Sequence, residues 1–474
     1  MRFTYPFSIL CLFLSLLTGP LPAGCSDRVK EPAVSGTFYP SSKKDLDQAV
    51  KGFLKNAPVK KQGGALVALI SPHAGYRYSG QVAAHGYAQV PDSGIDTVIL
   101  LGTAHRVRFK GASVYTKGSF RTPLGIVKTD EAKASTLLNK AAGVTFLPEA
   151  FTDEHSIEVQ LPFLQTVLDD FTIIPVLIGS PTGQTFEHLV SSITGLMNEK
   201  TLLIASTDLS HYHNALFADA MDKKIISAIS RLSSLKTREL LQKGDSELCG
   251  AFPVLITIEV ARIAGATFGV VFHHANSGDV TGEQEKVVGY ASIGLYRSPL
   301  TDADRADLLS LAQKTIHDHV SHGTLPEISI KNPKLQTDGA AFVTIYKQGS
   351  LRGCIGHVQP VMPLFKSVME NAVAASSRDT RFPPVTKDEL SDITVEVSVL
   401  SPLRKLKNID DIEIGRHGLL IRQGRRQGLL LPQVAEEYGW NRETFLRNLS
   451  LKAGLQEDAW KTSDIYSFTA EIVK

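Results

Sequence analysis

Three polar strings, each set directly behind a short apolar run, hold the side chains best suited to chemistry. His73 follows Ala65–Ser71 in Ser71-Pro72-His73-Ala74-Gly75-Tyr76, and His105 follows Thr97–Gly102 in Gly102-Thr103-Ala104-His105. Asp208 and His211 follow Thr201–Ser206 in Ser206-Thr207-Asp208-Leu209-Ser210-His211. Neutral imidazole ligates iron, copper or zinc, and near neutral pH it also gives and takes protons. One such histidine is most often a satisfied core or surface residue. Three imidazoles placed alike are a pattern, because in parallel α/β sheets ligand sites lie beyond the carboxyl ends of the strands. Asp208 then either orients His211 or accepts a proton itself. Cys249, in Leu248-Cys249-Gly250 behind a helical stretch, reads alone as a small buried residue. Beside two imidazoles it completes a three-ligand set with open positions left over, and thiolate favours a softer metal than carboxylate does.

Other residues join this list on weaker spacing. Asp153-Glu154-His155-Ser156-Ile157-Glu158 reads as the start of a helix running to about Leu168, with His155 and Glu158 three apart on one face. That is either a capped helix start with Glu158 exposed, or a pair beside the metal acting as outer support or as acid and base. Tyr76 and Tyr78, next to His73, are candidates for an aromatic wall that meets substrate. Farther on, Leu351-Arg352-Gly353-Cys354-Ile355-Gly356-His357 puts a thiol three residues from an imidazole. Nucleophile with base and metal pair are two readings; a tight turn needing two glycines, with a half-buried thiol, is the favoured third. Arg352, Arg378 and Arg381 either meet an anion or pair with Asp379 and Asp392.

These residues need a scaffold, and the apolar runs describe one. Ala65–Ser71, Thr97–Gly102, Phe171–Gly179 and Thr201–Ser206 lack strict alternation, as strands buried on both faces do. Helical spacing lies between them at Ser79–Val90, Ala132–Ala141 and Thr185–Asn198, after a first helix at Ser41–Asn56. Val270–Phe272 and Val287–Tyr296 read as closing strands. The expectation is an α/β domain with a mostly parallel or mixed sheet flanked by helices. Ser298-Pro299-Leu300 breaks the pattern, and Thr301 and Asp302 can cap a helix at Ala303–Val320. Strand-like alternation at Ala341–Tyr346 and Ile393–Val399, glycines 349 and 353 at a hairpin, and helices at Met362–Ala375 and Thr444–Ala453 suggest a smaller α+β domain. Residues 1–25 form a leader, 26–297 the first domain and 298–474 the second.

Bulk properties narrow the partners. The chain has 474 residues and a net charge of +2, so nothing global favours nucleic acid. Arg422, Arg425 and Arg426 read as a solvated turn. Four cysteines are too few for a disulfide scaffold. Arg2, the apolar run Phe7–Leu17 and the small residues before Cys25 form an export signal, shorter than the about 20 residues of a membrane span. Leu21-Pro22-Ala23-Gly24-Cys25 resembles a bacterial lipobox in which Cys25 is lipidated, with Pro22 where leucine is usual. Membrane contact would come only from that lipid anchor or from the signal segment, with the folded part in the cell envelope or periplasm.

The strings HAGYRYSG, LGTAH, DEHSIEVQLPFL and STDLSHYH, with Cys249-Gly250, occur in order across residues 31–297 and together resemble the Memo family. The resemblance implies a fold similar to class III extradiol dioxygenases. It places His73, His105 and Cys249 where the family binds iron or copper, at one mononuclear site, and Asp208 and His211 in the same pocket, with His211 as acid/base. Those dioxygenases use a carboxylate in the third ligand place, where this chain has an oxidisable thiol. LRGCIG, SSRDTRFPP, EVSVL and LLPQVA resemble the AMMECR family over about residues 300–474. The pair of families implies an AmmeMemoRadiSam-type system, with a radical-SAM protein as partner. The functions to be weighed are a metal-dependent redox or dioxygenase-like enzyme acting on a small molecule or peptide, a metal-sequestering or peptide-binding module without turnover, and a structural envelope protein.

Overall fold

Four of the apolar runs become neighbouring parallel strands. In a computed structural model that describes residues 28–474 apart from 60, 61, 63, 92 and 407, Thr172–Ile178, Thr97–Thr103, Thr201–Ser206 and Ala65–Ser71 lie side by side in that order. The leader and Cys25 lie outside the described residues. Thr201–Ser206 is buried along its whole length, and Val98 to Leu101 are fully buried. Helices cover both faces, so no position along these strands has to be polar. Val287–Arg297 runs antiparallel to Ala65–Ser71, and Phe268–Asn276 antiparallel to Val287–Arg297. A hairpin of Ser119–Thr122 and Gly125–Thr129, which the apolar pattern does not mark, extends the other edge, and Val29–Lys30 adds to it in parallel. Among the described residues this makes a twelve-stranded mixed sheet flanked by helices.

The helix expected at 132–141 spans only Glu131–Thr136. The chain then turns on paired hydrogen bonds between Asn139 and Val144. Three helices to which the spacing gave no bounds, Ala215–Ser230, Ser234–Lys243 and Ala251–Ile263, carry the chain from the third strand end to Cys249 and away from it.

The C-terminal region opens with the helix Asp302–His322, whose first turn is closed by a capping box between Thr301 and Asp304. Two four-stranded antiparallel sheets follow among the described residues. The first has the order Ser350–Gly356, Ala340–Lys347, Ile393–Leu400, Ala470–Val473. Alternate residues Val343, Ile345, Val395 and Val397 meet Leu308, Leu311, Val368 and Ala372 of two helices in one core. The hairpin turn is Gln348-Gly349, both with positive φ, and Gly353 lies inside the strand that follows. A Cβ on Gly353 would stand 2.2 Å from the Ala375 carbonyl oxygen. Its glycine is therefore required by the close approach of the helix Leu364–Ser377, not by a turn.

The two regions join at the end of the large sheet remote from His73 and His105. Arg404 Nη2 donates to Ile263 O at 2.5 Å, and Arg231 pairs with Asp338 at 2.6 Å. Ile263 closes the 13-residue helix that begins beside Cys249. At 1.5 Å rise per residue that helix is roughly 20 Å long, which sets the spacing between this contact and the strand-end crevice.

Candidate metal centre

His73 and His105 each sit two residues beyond a parallel strand, and Asp208 two residues beyond the strand between them. Cys249 reaches the same point from a different direction. It precedes the helix Ala251–Ile263, with Gly250 as its N-cap. A Cβ on Gly250 would lie 2.6 Å from Thr207 Cβ and 2.7 Å from Ser206 O, so only glycine allows the loop to close. Gly250 N then donates to Thr207 Oγ1 at 2.9 Å, and Thr103 Oγ1 donates to Cys249 O at 3.0 Å. Cys249 Sγ ends 3.1 Å from His73 Nε2 and accepts from the Asp208 amide at 3.1 Å.

Ligand atoms of His73, His105 and Cys249 all lie within 4.8 Å of one another, and the same holds for Asp208, His211 and Cys249 and for His105, Glu154 and His155. The inner nitrogens are already engaged. His73 Nδ1 lies 3.0 Å from Ser206 Oγ, and His105 Nδ1 lies 2.9 Å from Glu154 Oε1. That is the arrangement metal-bound histidines use, one nitrogen on the ion and the other on an outer partner. The donor set of two imidazoles and one sulfur therefore fits a transition-metal ion. His73 is 2% exposed, while His105 is the most solvent-facing of the three.

Burial pushes the Cys249 thiol up, and a bound cation would act the other way by taking the thiolate. Burial also opposes charge on His105, but hydrogen bonds to Cys249 and Glu154 outweigh it and push His105 up to about 9. Burial and the neighbouring His73 ring hold His155 down to about 4, so that ring stays neutral. His155 stacks on His105 with centroids 4.8 Å apart. Its Nδ1 is 3.3 Å from Glu154 Oε1 but makes no hydrogen bond.

Several expected roles change. Asp208 does not hold His211; its Oδ1 accepts from the His73 and Ala74 amides at 2.8 and 3.3 Å and so fixes the His73 loop. His211 is held through its own amide by Glu247 at 3.1 Å. His155 and Glu158 do not share a helix face, because residues 154–157 are outside any helix, Glu158 opens a short 3-10 turn, and the α-helix begins only at Leu161. His155 faces the crevice. Glu158, 1% exposed, faces away and accepts from Lys30 Nζ, the Ala33 and Val34 amides and Tyr39 Oη. Tyr76 is buried, with its hydroxyl on Val159 O, so it is core and not wall. Tyr78, on the opposite side of the helix, is exposed.

Spacing alone does not mark Glu154, Ser206 or Gln160 as site residues. Glu154 stood inside the DEHSIE string. Ser206 and Gln160 were each a polar residue closing or interrupting an apolar stretch. Glu154, 2% exposed, accepts from His105 N at 2.6 Å, His105 Nδ1 at 2.9 Å, His155 N at 3.0 Å and Ser156 N at 2.9 Å. Burial opposes its ionisation, but His105 and these amides outweigh it and hold it to about 2. Glu154→Gln offers one acceptor oxygen where four N–H groups point. We expect metal affinity to fall roughly 10- to 100-fold; a titration against a competing chelator that finds less than a threefold change removes Glu154 from the site.

In the C-terminal region Cys354 lies within the strand Ser350–Gly356 and His357 one residue beyond its end, and the two side chains meet different partners. Cys354 Sγ accepts from Thr344 Oγ1 at 3.3 Å, whereas His357 Nδ1 meets Ser367 Oγ and Asn371 Nδ2 on the covering helix. They form neither a dyad nor a metal pair. Arg352 pairs with Glu389 through two bonds, not with Asp392. Arg378 is exposed at the helix end. Ser350–Gly356 is an edge strand, and Asp379 and Arg381 cover it: Cys354 N donates to Asp379 Oδ2 at 2.8 Å, and Arg381 Nη2 donates to Cys354 O at 3.1 Å. Hydrogen bonds from Arg381 hold Asp379 to about 2. A carboxyl whose folded pKa is depressed contributes stability that is present above its unfolded pKa, near 4, and lost as pH falls towards 2. The shift implies about 2 kcal/mol, or nearer 1 after discounting for the exposed Arg381. Denaturant unfolding at pH 5 and at pH 2.5 should show Asp379→Asn losing less stability on acidification than the wild type; equal losses contradict this.

Comparison with known proteins follows the same division. A family model described as Memo-like protein matches residues 30–294, and one described as AMMECR1 matches residues 309–473. A MEMO1 family protein of Methanopyrus kandleri is 36% identical over 280 residues, covering 56% of this chain and 99% of that one. A MEMO1 family protein of Thermotoga neapolitana is 37% identical over 276 residues, covering 56% and 98%. Among solved structures, the uncharacterised protein PH0010 of Pyrococcus horikoshii shows 36% sequence identity and a TM-score of 0.36, covering 36% of this chain and 92% of that one.

Proposed function

The chain belongs to the Memo-like protein family and carries an AMMECR1 domain behind that unit, and from this premise we propose that its first domain is a non-haem metal centre for redox chemistry. One ion, iron or copper, would be held by His73, His105 and Cys249. The observation that carries this is the convergence of those three ligand atoms within 4.8 Å while both inner imidazole nitrogens are bonded elsewhere. An ion of this class, when bound, polarises substrate oxygens and exchanges electrons with them.

The surrounding residues support a reaction at that point. Asp208 ties the His73 loop to the strand end, so the ligand cannot swing away. His211 is half-buried, with its ligand atom inside the Asp208–Cys249 group, and is the side chain assigned to give or take a proton from substrate. The C-terminal region attaches at the remote end of the large sheet, which supports a crevice reached from solvent by a small molecule or peptide. Export rests on the leader alone, and a radical-SAM partner rests on the domain combination alone; both belong to this proposal.

The test is metal binding by the wild type and by single substitutions of the three ligands, with oxygen consumption measured after loading with reduced iron or copper. Full binding in all three variants refutes the centre. Binding without substrate-dependent turnover favours sequestration.

A further inference from the structure

Behind the crevice runs a buried hydrogen-bond chain whose direction is imposed by its ends. Pro72 and Ser156 each contribute a backbone carbonyl, which accepts and cannot donate. Gln160 Nε2 lies 2.9 Å from Pro72 O and 2.9 Å from Ser206 Oγ, so the amide nitrogen faces both. The amide oxygen, on the other side, takes the Tyr87 hydroxyl at 2.7 Å. Ser206 Oγ lies 2.5 Å from Ser156 O and spends its one proton there. The serine oxygen therefore receives Gln160 N–H and has an acceptor position left. His73 Nδ1 lies 3.0 Å from it. A hydrogen bond across that gap requires the hydrogen to sit on Nδ1.

In a neutral imidazole a protonated Nδ1 leaves Nε2 bare, and Nε2 is the atom 3.1 Å from Cys249 Sγ. Ser206, Gln160 and Tyr87 are all 1% exposed or less, so the surrounding protein, not solvent, sets the direction of the chain. We infer that Ser206, aimed by Gln160 and the Ser156 carbonyl, is a positioning residue that fixes His73 as the Nδ1–H tautomer. It thereby presents a lone pair to the crevice before any ion arrives. The purpose of this device rests on the metal-centre proposal; its existence does not. The two ligand imidazoles are consequently unlike: a carboxylate backs His105, and a neutral hydroxyl whose own proton is committed to Ser156 O backs His73.

The experiment is a long-range proton–nitrogen correlation spectrum of the metal-free full chain with labelled histidine, recorded where the His73 ring is neutral and assigned with His73→Gln. His73 should show a protonated Nδ1 and an unprotonated Nε2. A wild-type spectrum dominated by the Nε2–H form overturns the inference, whatever any variant does. Ser206→Ala should lose the single tautomer and weaken cobalt(II) binding, read by chelator competition, roughly 10- to 100-fold. Ser206→Thr keeps the hydroxyl and should restore both. Retention of the Nδ1–H form in Ser206→Ala also overturns it. A wild type with the Nδ1–H form that binds none of cobalt(II), iron(II) and copper(I) supports this inference and defeats the metal-centre proposal.

Discussion

A chain carrying Cys249→Ser should bind iron(II) or cobalt(II) at least about a hundredfold more weakly than the wild type while keeping its thermal midpoint. A complete four-ligand zinc site is worth about 10–16 kcal/mol, or roughly 3 kcal/mol per ligand, which is about a hundredfold in affinity. Serine cannot supply the anionic sulfur, since its hydroxyl does not ionise near neutral pH. It can still accept the Asp208 amide proton that Cys249 Sγ accepts at 3.1 Å, so the loop after the Thr201–Ser206 strand keeps its anchor. Alanine would remove both functions at once and blur the outcome, which makes serine the sharper probe. Chelator competition gives the affinity and calorimetry the midpoint. Wild-type affinity in Cys249→Ser would mean that the sulfur is only a close-packed core atom, and the ligand set would fail.

Glu158→Ala should cost about 3–5 kcal/mol of folding stability, the range seen when one partner of a buried ion pair is removed. The side chains of Lys30 and Glu158 are 5% and 1% exposed and meet at 2.5 Å. Truncation strands the Lys30 ammonium, the Ala33 and Val34 amides and the Tyr39 hydroxyl without their shared acceptor. The damage should reach the crevice as well. The segment these groups hold places Phe38 O on the Tyr76 amide at 2.8 Å and the Phe38 ring against His155 at 5.0 Å. Released, it would loosen both the His73 loop and the turn that carries Glu154. Replacing both partners with apolar residues, Lys30→Met with Glu158→Leu, should cost less than Glu158→Ala alone, because no charge is left buried. Urea unfolding of the three chains decides: a loss below 1 kcal/mol in Glu158→Ala, or a double variant as damaged as the single, contradicts the clamp.

Local pattern carried the scaffold. A strand covered on both faces must be apolar at every position, so Ala65–Ser71, Thr97–Gly102, Phe171–Gly179 and Thr201–Ser206 could be found from composition, and the polar residues just beyond them located the crevice. Alternation likewise marked Ala341–Tyr346 and Ile393–Val399, which the structure extends to Ala340–Lys347 and Ile393–Leu400. Contacts between distant segments were a different matter. Glu158 was a helix-face carboxylate on paper and a clasp for residues 30–39 in space, 128 positions from Lys30. Gln160 and Ser206 are 46 positions apart, one in a 3-10 turn and the other at a strand end, and meet only in the folded chain. Tyr76 turned inward, where its hydroxyl meets Val159 O across 83 positions, and Cys354 and His357 parted because the LRGCIG segment is strand and not turn. Periodicity in a chain reports which side of an element avoids water. Which group a polar side chain finally bonds depends on the geometry of elements folded against one another, and that information is spread over the whole molecule.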